Sequence, residues 1–287
     1  MRGIVLAGGF GTRLWPLTNG ISKQLMPIYD KPLIYYPIST LMLANIREIL
    51  IICTPFDLLL FQRLLGDGSR FGLKFSYAVQ DYPRGIVDGI LLGNEFIGSE
   101  AVALILGDNI FYGQGLGRQL ASKKGVKGAS IFAYKVSEPQ HYGVVELDAK
   151  GAVLSIEEKP RNPKSNYAIP GLYFYDNSVV EFARKVQPSE RGELEITDLN
   201  RMYFHEGKLS ITVLDRGTAW LDTGTFDALH AASSFVKAIE DRQGYKIACL
   251  EEIAFAKKWI SSRDISVAIE QNLNSPYGNY LLEMIRK

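Results

Sequence analysis

The sequence predicts an α/β protein: a Rossmann-like, mostly parallel central sheet flanked by helices, then a strand-rich part and a C-terminal helical appendage. Three observations carry this. Short apolar runs at residues 2–6, 48–53 and 101–106 read as strands buried on both faces, and residues 74–80 read as a further strand. Helical patterns separate these runs, and that alternation argues for a parallel sheet covered by helices. Residues 129–175 turn strand-rich, and from 244 onward the patterns are helical.

Taken in order, residues 2–6 form the first strand, and Gly8, Gly9 and Gly11 let the backbone turn sharply and expose N–H groups that attract anions. Arg13 adds a planar fork and Lys23 a compact charge, which together suit phosphate. A plain strand-to-helix turn is the alternative. Two common glycine loops do not fit: Leu14 stands where a dinucleotide fingerprint needs glycine, and Gly-Lys-Ser/Thr occurs nowhere.

Residues 31–45 should contain a helix with Pro37 early in it or at a kink. Thr54 and Pro55 read as an N-cap and first helical position of a helix ending near Leu65. Gly66, Gly68 and Gly72 mark a loop before the strand at 74–80. Residues 80–89 pass from a strand end into a helix, where open α/β sheets place ligands, although Pro83-Arg84-Gly85 alone reads as a turn. The strand at 101–106 runs into Gly107-Asp108-Asn109. Asp108 there suits Mg²⁺, or is a solvated turn residue.

Strands are expected at 131–136, 143–147, 153–156 and 168–175, with 148–151 as a hairpin turn. Glu157-Glu158-Lys159-Pro160 interrupts them with charge and alone reads as a solvated loop. Helices follow at 178–186 and from about 194 to 204, with Arg191 just before the second; among nearby acids it reads as a surface ion pair. Asp222 precedes Thr223 and Thr225, which can cap a helix running to about Ile239, and Asp222 itself reads as part of that cap. Helices at 250–259, 262–271 and 276–285 complete the chain.

Composition narrows the function. The 287 residues are 47% hydrophobic, enough for a large core in one or two domains. The 32 basic and 31 acidic residues leave a formal charge of +1, so no broad basic field exists for nucleic acid. Cys53, Cys249, His141, His205 and His230 have no metal-ligand spacing, which points to a reduced, cytoplasmic protein without structural zinc. No apolar run approaches the roughly 20 residues that span a bilayer, and the start lacks a signal-peptide layout.

The pattern G-G-x-G-T-R-L-x-P-L-T at 8–18, continued by Ser22-Lys23-Gln24-Leu25-Met26-Pro27 and Tyr29-Asp30-Lys31-Pro32, resembles the signature of the sugar-1-phosphate nucleotidylyltransferases. Lys23-Gln24-Leu25 and Tyr29-Asp30-Lys31-Pro32 look most like the branch that transfers thymidylyl groups to glucose 1-phosphate. The likeness covers nearly the whole chain and implies the nucleotide-diphospho-sugar transferase fold. It implies dTTP and α-D-glucose 1-phosphate as substrates, dTDP-glucose and pyrophosphate as products, and a place at the head of dTDP-L-rhamnose or other dTDP-deoxysugar synthesis. Mg²⁺ would be held by Asp108 and Asp222.

By the same resemblance, Leu6, Gly8, Gly11, Thr12, Gln24, Gln80, Pro83 and Gly85 contact the nucleotide, and Gly143, Glu158, Tyr173 and Trp220 the sugar. Arg13, Lys23, Lys159 and Arg191 neutralise phosphate. Residues 1–243 would be the catalytic domain, with a nucleotide-binding half at 1–127 and a sugar-binding half at 128–243. Residues 244–287 would support a homotetramer with a regulatory nucleotide site involving Tyr112, Gly113, Arg216, Lys246, Glu252 and Ile253. The chain departs from the pattern at Ile86-Val87-Asp88-Gly89, where relatives usually read Leu-Ala-x-Ala, at 114–118, and at Ala256, where relatives often carry Arg. Three rivals remain: UTP or CTP as donor or another hexose 1-phosphate, a silent nucleotide-sugar sensor, and a nicotinamide enzyme, the last disfavoured by Leu14.

Overall fold

Four apolar runs of the N-terminal half become the parallel strands around which a computed structural model, describing residues 1–270 and 275–286, is built. In chain order the first half comprises β1 (Arg2–Ala7), β2 (Pro27–Ile28), β3 (Lys31–Pro32), α1 (Tyr35–Leu43), β4 (Glu48–Cys53), α2 (Leu58–Leu65), β5 (Lys74–Val79), α3 (Ile86–Leu92), α4 (Asn94–Ile97), β6 (Val102–Leu106), β7 (Asn109–Tyr112) and α5 (Leu116–Ala121). The second contributes β8 (Ala129–Lys135), β9 (Gly143–Leu147), β10 (Val153–Glu158), β11 (Tyr167–Ala168), β12 (Leu172–Tyr175), α6 (Val179–Ala183), α7 (Ile196–His205), β13 (Leu209–Val213), β14 (Ala219–Asp222) and α8 (Phe226–Gln243). Three further helices follow: α9 (Leu250–Ala256), α10 (Ser262–Glu270) and α11 (Pro276–Arg286).

One large sheet runs β10-β9-β11-β8-β12-β6-β1-β4-β5, with β13 pairing β8. Its β6-β1-β4-β5 segment is parallel, while β12 joins β6 and β8 antiparallel. Period-two alternation explains the two cores. Val5, Ala7, Ile49, Ile51 and Cys53 face one side, and Ile4, Leu50 and Ile52 the other. Strand order reverses at β1, since β4 and β5 lie on one side and β6 returns to the other. That switch opens a crevice at the carboxyl ends of β1 and β6. Among the described residues no helix is long and apolar enough to cross a membrane.

Several elements differ from the sequence expectation. Helix α2 begins at Leu58 because Thr54 and Asp57 close a turn first: Thr54 Oγ1 donates to Asp57 Oδ2 at 2.6 Å and accepts from Asp57 N at 3.3 Å. The expected strand at 168–175 is two strands. Pro170 lacks an N–H, and the Gly171 amide donates to Asn109 Oδ1 (3.1 Å) instead of continuing a ladder. Strand β10 runs through Glu157 and Glu158, its ladder with β9 carrying both acids. Helix α8 extends a turn past Ile239 to a left-handed Gly244, and α9 stops at Ala256. The expected helix end at Gln271 lies outside the described residues. Strands β2, β3, β7, β13 and β14 and helices α4 and α5 were not foreseen.

Helices α9 to α11 pack on the α1 side, where Leu250, Ala254, Ile265, Ile269 and Leu281 join the core of Val5 and Ile51. A smaller core under α8 holds Ile28, Leu33, Tyr36, Ala232 and Val236.

Candidate active site

The first apolar strand delivers its chain into a loop rather than an α-helix; short 3-10 turns occupy residues 12–14, 17–19 and 23–25. Gly11 adopts φ +59°, and the amides of Gly9, Phe10 and Gly11 make no hydrogen bond among the described residues. These free donors, with Arg13 beyond them, are the kind of group that attracts an anion. Lys23 and Gln24 are drawn inward and buried.

Two adjoining cavities, with about 710 and 690 Å³ of space, open at the sheet's switch point. The first is lined by Leu6, Gly8, Gly9, Gly11, Lys23, Gln24, Gln80, Pro83, Gly85, Ile86, Leu106, Asp108 and Glu193. The second includes Arg13, Asp108, Asn109, His141, Tyr142, Gly143, Glu158, Lys159, Tyr173, Thr197, Trp220 and Asp222. Asp108 borders both. Gly85 turns the chain between β5 and α3 at φ +104°, and a Cβ there would meet the Leu194 carbonyl at 2.4 Å, so no other residue fits.

The ribbon of β7 and β14 answers the longest-range question posed by the sequence. Asp222 pairs with Asn109, and the Thr223 amide and hydroxyl both donate to the Asp108 carbonyl, at 3.2 and 3.0 Å. The two acids therefore meet. Thr225, not Asp222, caps α8 by accepting from Ala228 N at 3.2 Å. Burial raises the Asp222 carboxyl to about 6, aided by the charge of Asp108 and opposed by Lys23 and Arg13. Lys23 Nζ stands 2.5 Å from Asp108 Oδ2, and Asn109 Nδ2 donates to Oδ1 at 2.9 Å.

In the second cavity, Thr197 Oγ1 donates to Glu158 Oε2 (2.5 Å), leaving Oε1 facing Lys159 and Arg191 at 3.8 and 3.7 Å. Arg191 is also gripped by Glu195, with Nη2 at 2.7 Å and Nε at 3.2 Å, and that bond raises its already high pKa. Trp220 Nε1 donates to Asn109 Oδ1 at 2.6 Å, and the indole meets Tyr142 edge-on at 5.0 Å. Tyr173 is buried on β12, and burial pushes its phenol far up.

Among the residues predicted to contact the substrates or metal, Thr12 and Arg191 alone stand outside the two cavity linings. Asn109, Thr197, Glu193 and Glu195 were given no role in the sequence reading, and Asp88 figured there only within the divergent segment 86–89. Only Asn109, next to Asp108, had a signal that could have revealed it. The six residues expected at a regulatory site do not converge on one cavity. Lys246 lines a separate cleft with Tyr29, Glu240 and Tyr280. Tyr112 bonds Gln243 at 3.3 Å, Glu252 accepts from Tyr280 at 2.7 Å, Gly113 packs on Thr218, Ile253 joins a core, and Arg216 is exposed.

No group of three or more His, Cys, Asp or Glu able to hold a metal exists among the described residues. Any cation in the cleft would rest on Asp108 and Asp222 with ligand oxygens.

A parallel sheet with a glycine turn, two neutral amides and facing acids at its switch point defines a class of nucleotide-binding transferase. Residues 2–239 match the nucleotidyl transferase family, and the chain belongs to it. It is 57% identical over 285 residues to a glucose-1-phosphate thymidylyltransferase of Mycolicibacterium smegmatis, covering 99% of both chains. It is 55% identical over 287 residues to the Mycobacterium tuberculosis protein of that name, covering all of both. Among solved structures, one from Bacillus anthracis, described as a glucose-1-phosphate thymidylyltransferase in complex with a sucrose, matches at 36% identity and TM-score 0.76, covering 82% of this chain and 94% of that one. A UDP-glucose pyrophosphorylase complexed with UDP-glucose shares the fold at TM-score 0.71 and 24% identity, covering 84% of this chain and 99% of that one.

Proposed function

We propose that the chain transfers a thymidylyl group from dTTP to α-D-glucose 1-phosphate, giving dTDP-glucose, the activated hexose from which dTDP-deoxysugars are made, and pyrophosphate. The observation that carries this is Asp108 at the junction of an amide-lined cavity and a charged one, with Asp222 facing it. The relatives named above favour these substrates. Residues 1–127 hold the nucleotide and 128–243 the sugar. Residues 244–287 support a homotetramer with a regulatory site near Lys246, checked by sedimentation. Two buried, unpaired thiols, Cys53 and Cys249, accord with a cytoplasmic setting.

Mg²⁺ fits the donor set, because two carboxylates at adjoining strand ends repel each other and it takes one or two carboxylates plus phosphate oxygens. When bound, it neutralises charge on the nucleotide's phosphates. The chain's own groups do the rest. The glycine-turn amides and Arg13 hold the β- and γ-phosphates and stabilise departing pyrophosphate. Lys23 exchanges Asp108 for the α-phosphate. Lys159 and Arg191 align the sugar phosphate, and Glu158, Gly143 and the Tyr173 and Trp220 wall hold the hexose. In-line attack by a phosphate oxygen on the α-phosphorus needs no nucleophilic side chain and inverts configuration there.

The test is pyrophosphate release with glucose 1-phosphate and Mg²⁺, run with dTTP, UTP, CTP, ATP and GTP, beside Asp108→Asn. Strong dTTP turnover lost in the variant is expected. Silence with every nucleotide sinks the reading.

A further inference from the structure

The nucleotide cavity has two buried amides in its walls, Gln24 and Gln80. Each is held by a side chain from behind the lining. Ser22 Oγ donates to Gln24 Oε1 at 2.7 Å, and Gln80 Nε2 donates to Asp88 Oδ2 at 2.8 Å. A carboxylate accepts and does not donate, so only the NH₂ end of Gln80 can face Asp88. The carbonyl end is left over. Gln80 Oε1 has no donor among the described residues and lies beside the glycine turn, where a Cβ on Gly8 would stand 2.7 Å from it. Gln24 is arranged in reverse, with its oxygen occupied and its Nε2 without an acceptor among the described residues.

The cavity therefore presents an acceptor from one wall and a donor from the other. Thymine and uracil match this, carrying an N–H at N3 between two carbonyls. Cytosine offers an unprotonated N3 beside an amino group, which would set acceptor against acceptor at Gln80. Asp88 is buried at 8% exposure, and its side chain bonds no described residue but Gln80. Enclosing a carboxyl for one amide bond is costly unless that bond is used. Its neighbour Gly89 shapes the same wall: a Cβ there would lie 2.3 Å from Leu6 Cδ2, so the missing methyl seats Leu6 against α3.

We propose that Asp88 is a positioning residue for base selection: it holds the Gln80 amide in one of its two orientations and thereby selects a base with an N3–H over cytosine. This rests on the thymidylyl-transfer reading above. Asp88 and Gly89 both belong to this chain's own segment Ile86-Val87-Asp88-Gly89.

The experiment measures dTTP and dCTP binding by calorimetry, and pyrophosphate release with both, for the wild type, Asp88→Asn and Asp88→Ala. The wild type should prefer dTTP at least about 10-fold. In Asp88→Ala the amide is free to turn over, and the preference should fall about 10-fold, chiefly through tighter dCTP. Asp88→Asn, able to meet either end of Gln80, should fall between, and it decides if the alanine variant does not fold. The KM for glucose 1-phosphate should stay within about twofold, since Asp88 lies outside the sugar cavity. An unchanged dTTP to dCTP ratio in the folded variants overturns the proposal, because a merely structural Asp88 weakens both nucleotides alike. A wild type that releases pyrophosphate yet binds dCTP as tightly as dTTP sinks the role of Asp88 alone. A wild type that discriminates in binding, loses this in the variants, and releases no pyrophosphate supports Asp88 and sinks the reaction.

Discussion

Two clusters in this molecule have the same make-up, two acids and two bases, and behave in opposite ways. In the first, Lys31 and Lys246 both bridge Asp30 and Glu240: Lys31 Nζ meets Glu240 Oε1 at 3.0 Å, Lys246 Nζ meets Oε2 at 2.7 Å, and each lysine also bonds one Asp30 oxygen. The Ile247 amide adds a bond to Glu240 at 2.8 Å. Burial alone would raise Asp30, but Lys31 and Lys246 outweigh it and hold its carboxyl below the usual range. All four carboxylate oxygens are used. In the second, Asp108 has partners on both oxygens, whereas Asp222 has no side-chain donor among the described residues and sits at about 6. The first cluster clamps the β2-β3 ribbon to the end of α8. The second leaves Asp222 without a side-chain donor among the described residues, so it is satisfaction of oxygens rather than composition that separates the two clusters.

The comparison breaks most sharply in activity. Asp222→Asn should lower thymidylyl transfer by about 10³-fold or more, given the several kcal/mol a metal supplies. It should also abolish the rise in melting temperature that Mg²⁺ plus dTTP gives the wild type. A variant that keeps both refutes the proposed cation site at Asp108 and Asp222. In the clamp, Lys31→Met leaves buried Glu240 facing one lysine fewer and should cost about 3–5 kcal/mol in urea unfolding. Activity per folded molecule should change little.

Acid titration gives the next effect. Folding raises the Asp222 pKa from 3.8 to about 6, so its contribution to stability is full at low pH and fades as pH rises through about 6. In Mg²⁺-free protein the loss should be up to about 3 kcal/mol, and Asp222→Asn should remove it from the pH profile. Within the cleft, Trp220→Phe removes the donor to Asn109 Oδ1 and should reduce kcat/KM about 10-fold, from roughly 1–2 kcal/mol. The exposed Lys237–Asp241 pair supplies the control: Lys237→Ala should leave unfolding and turnover unchanged.

Much of the candidate cleft was legible because its parts are local. The strand-to-glycine-turn junction, the acid ending β6 and the basic residues after the turn are each readable in a dozen positions, and the order of strands and helices fixes where the crevice lies. The Pro170 break in the expected 168–175 strand was obscured by the apolar run around it. The positioning groups were not legible. Thr197 and Asp88 bond side chains outside their own helices, Glu158 and Gln80, and a lone Thr or Asp carries no period or spacing that would single it out.

By itself the sequence determined the layered α/β class, the glycine turn and the short list of charged residues, because hydrophobic period and backbone permissiveness are local properties. Tertiary structure alone decided that Asp108 and Asp222, 114 positions apart, share a site, since only the β7-β14 register brings them together. It alone decided that Asp30, Glu240, Lys31 and Lys246 are a closed clamp, because which oxygens are satisfied depends on partners more than 200 residues distant.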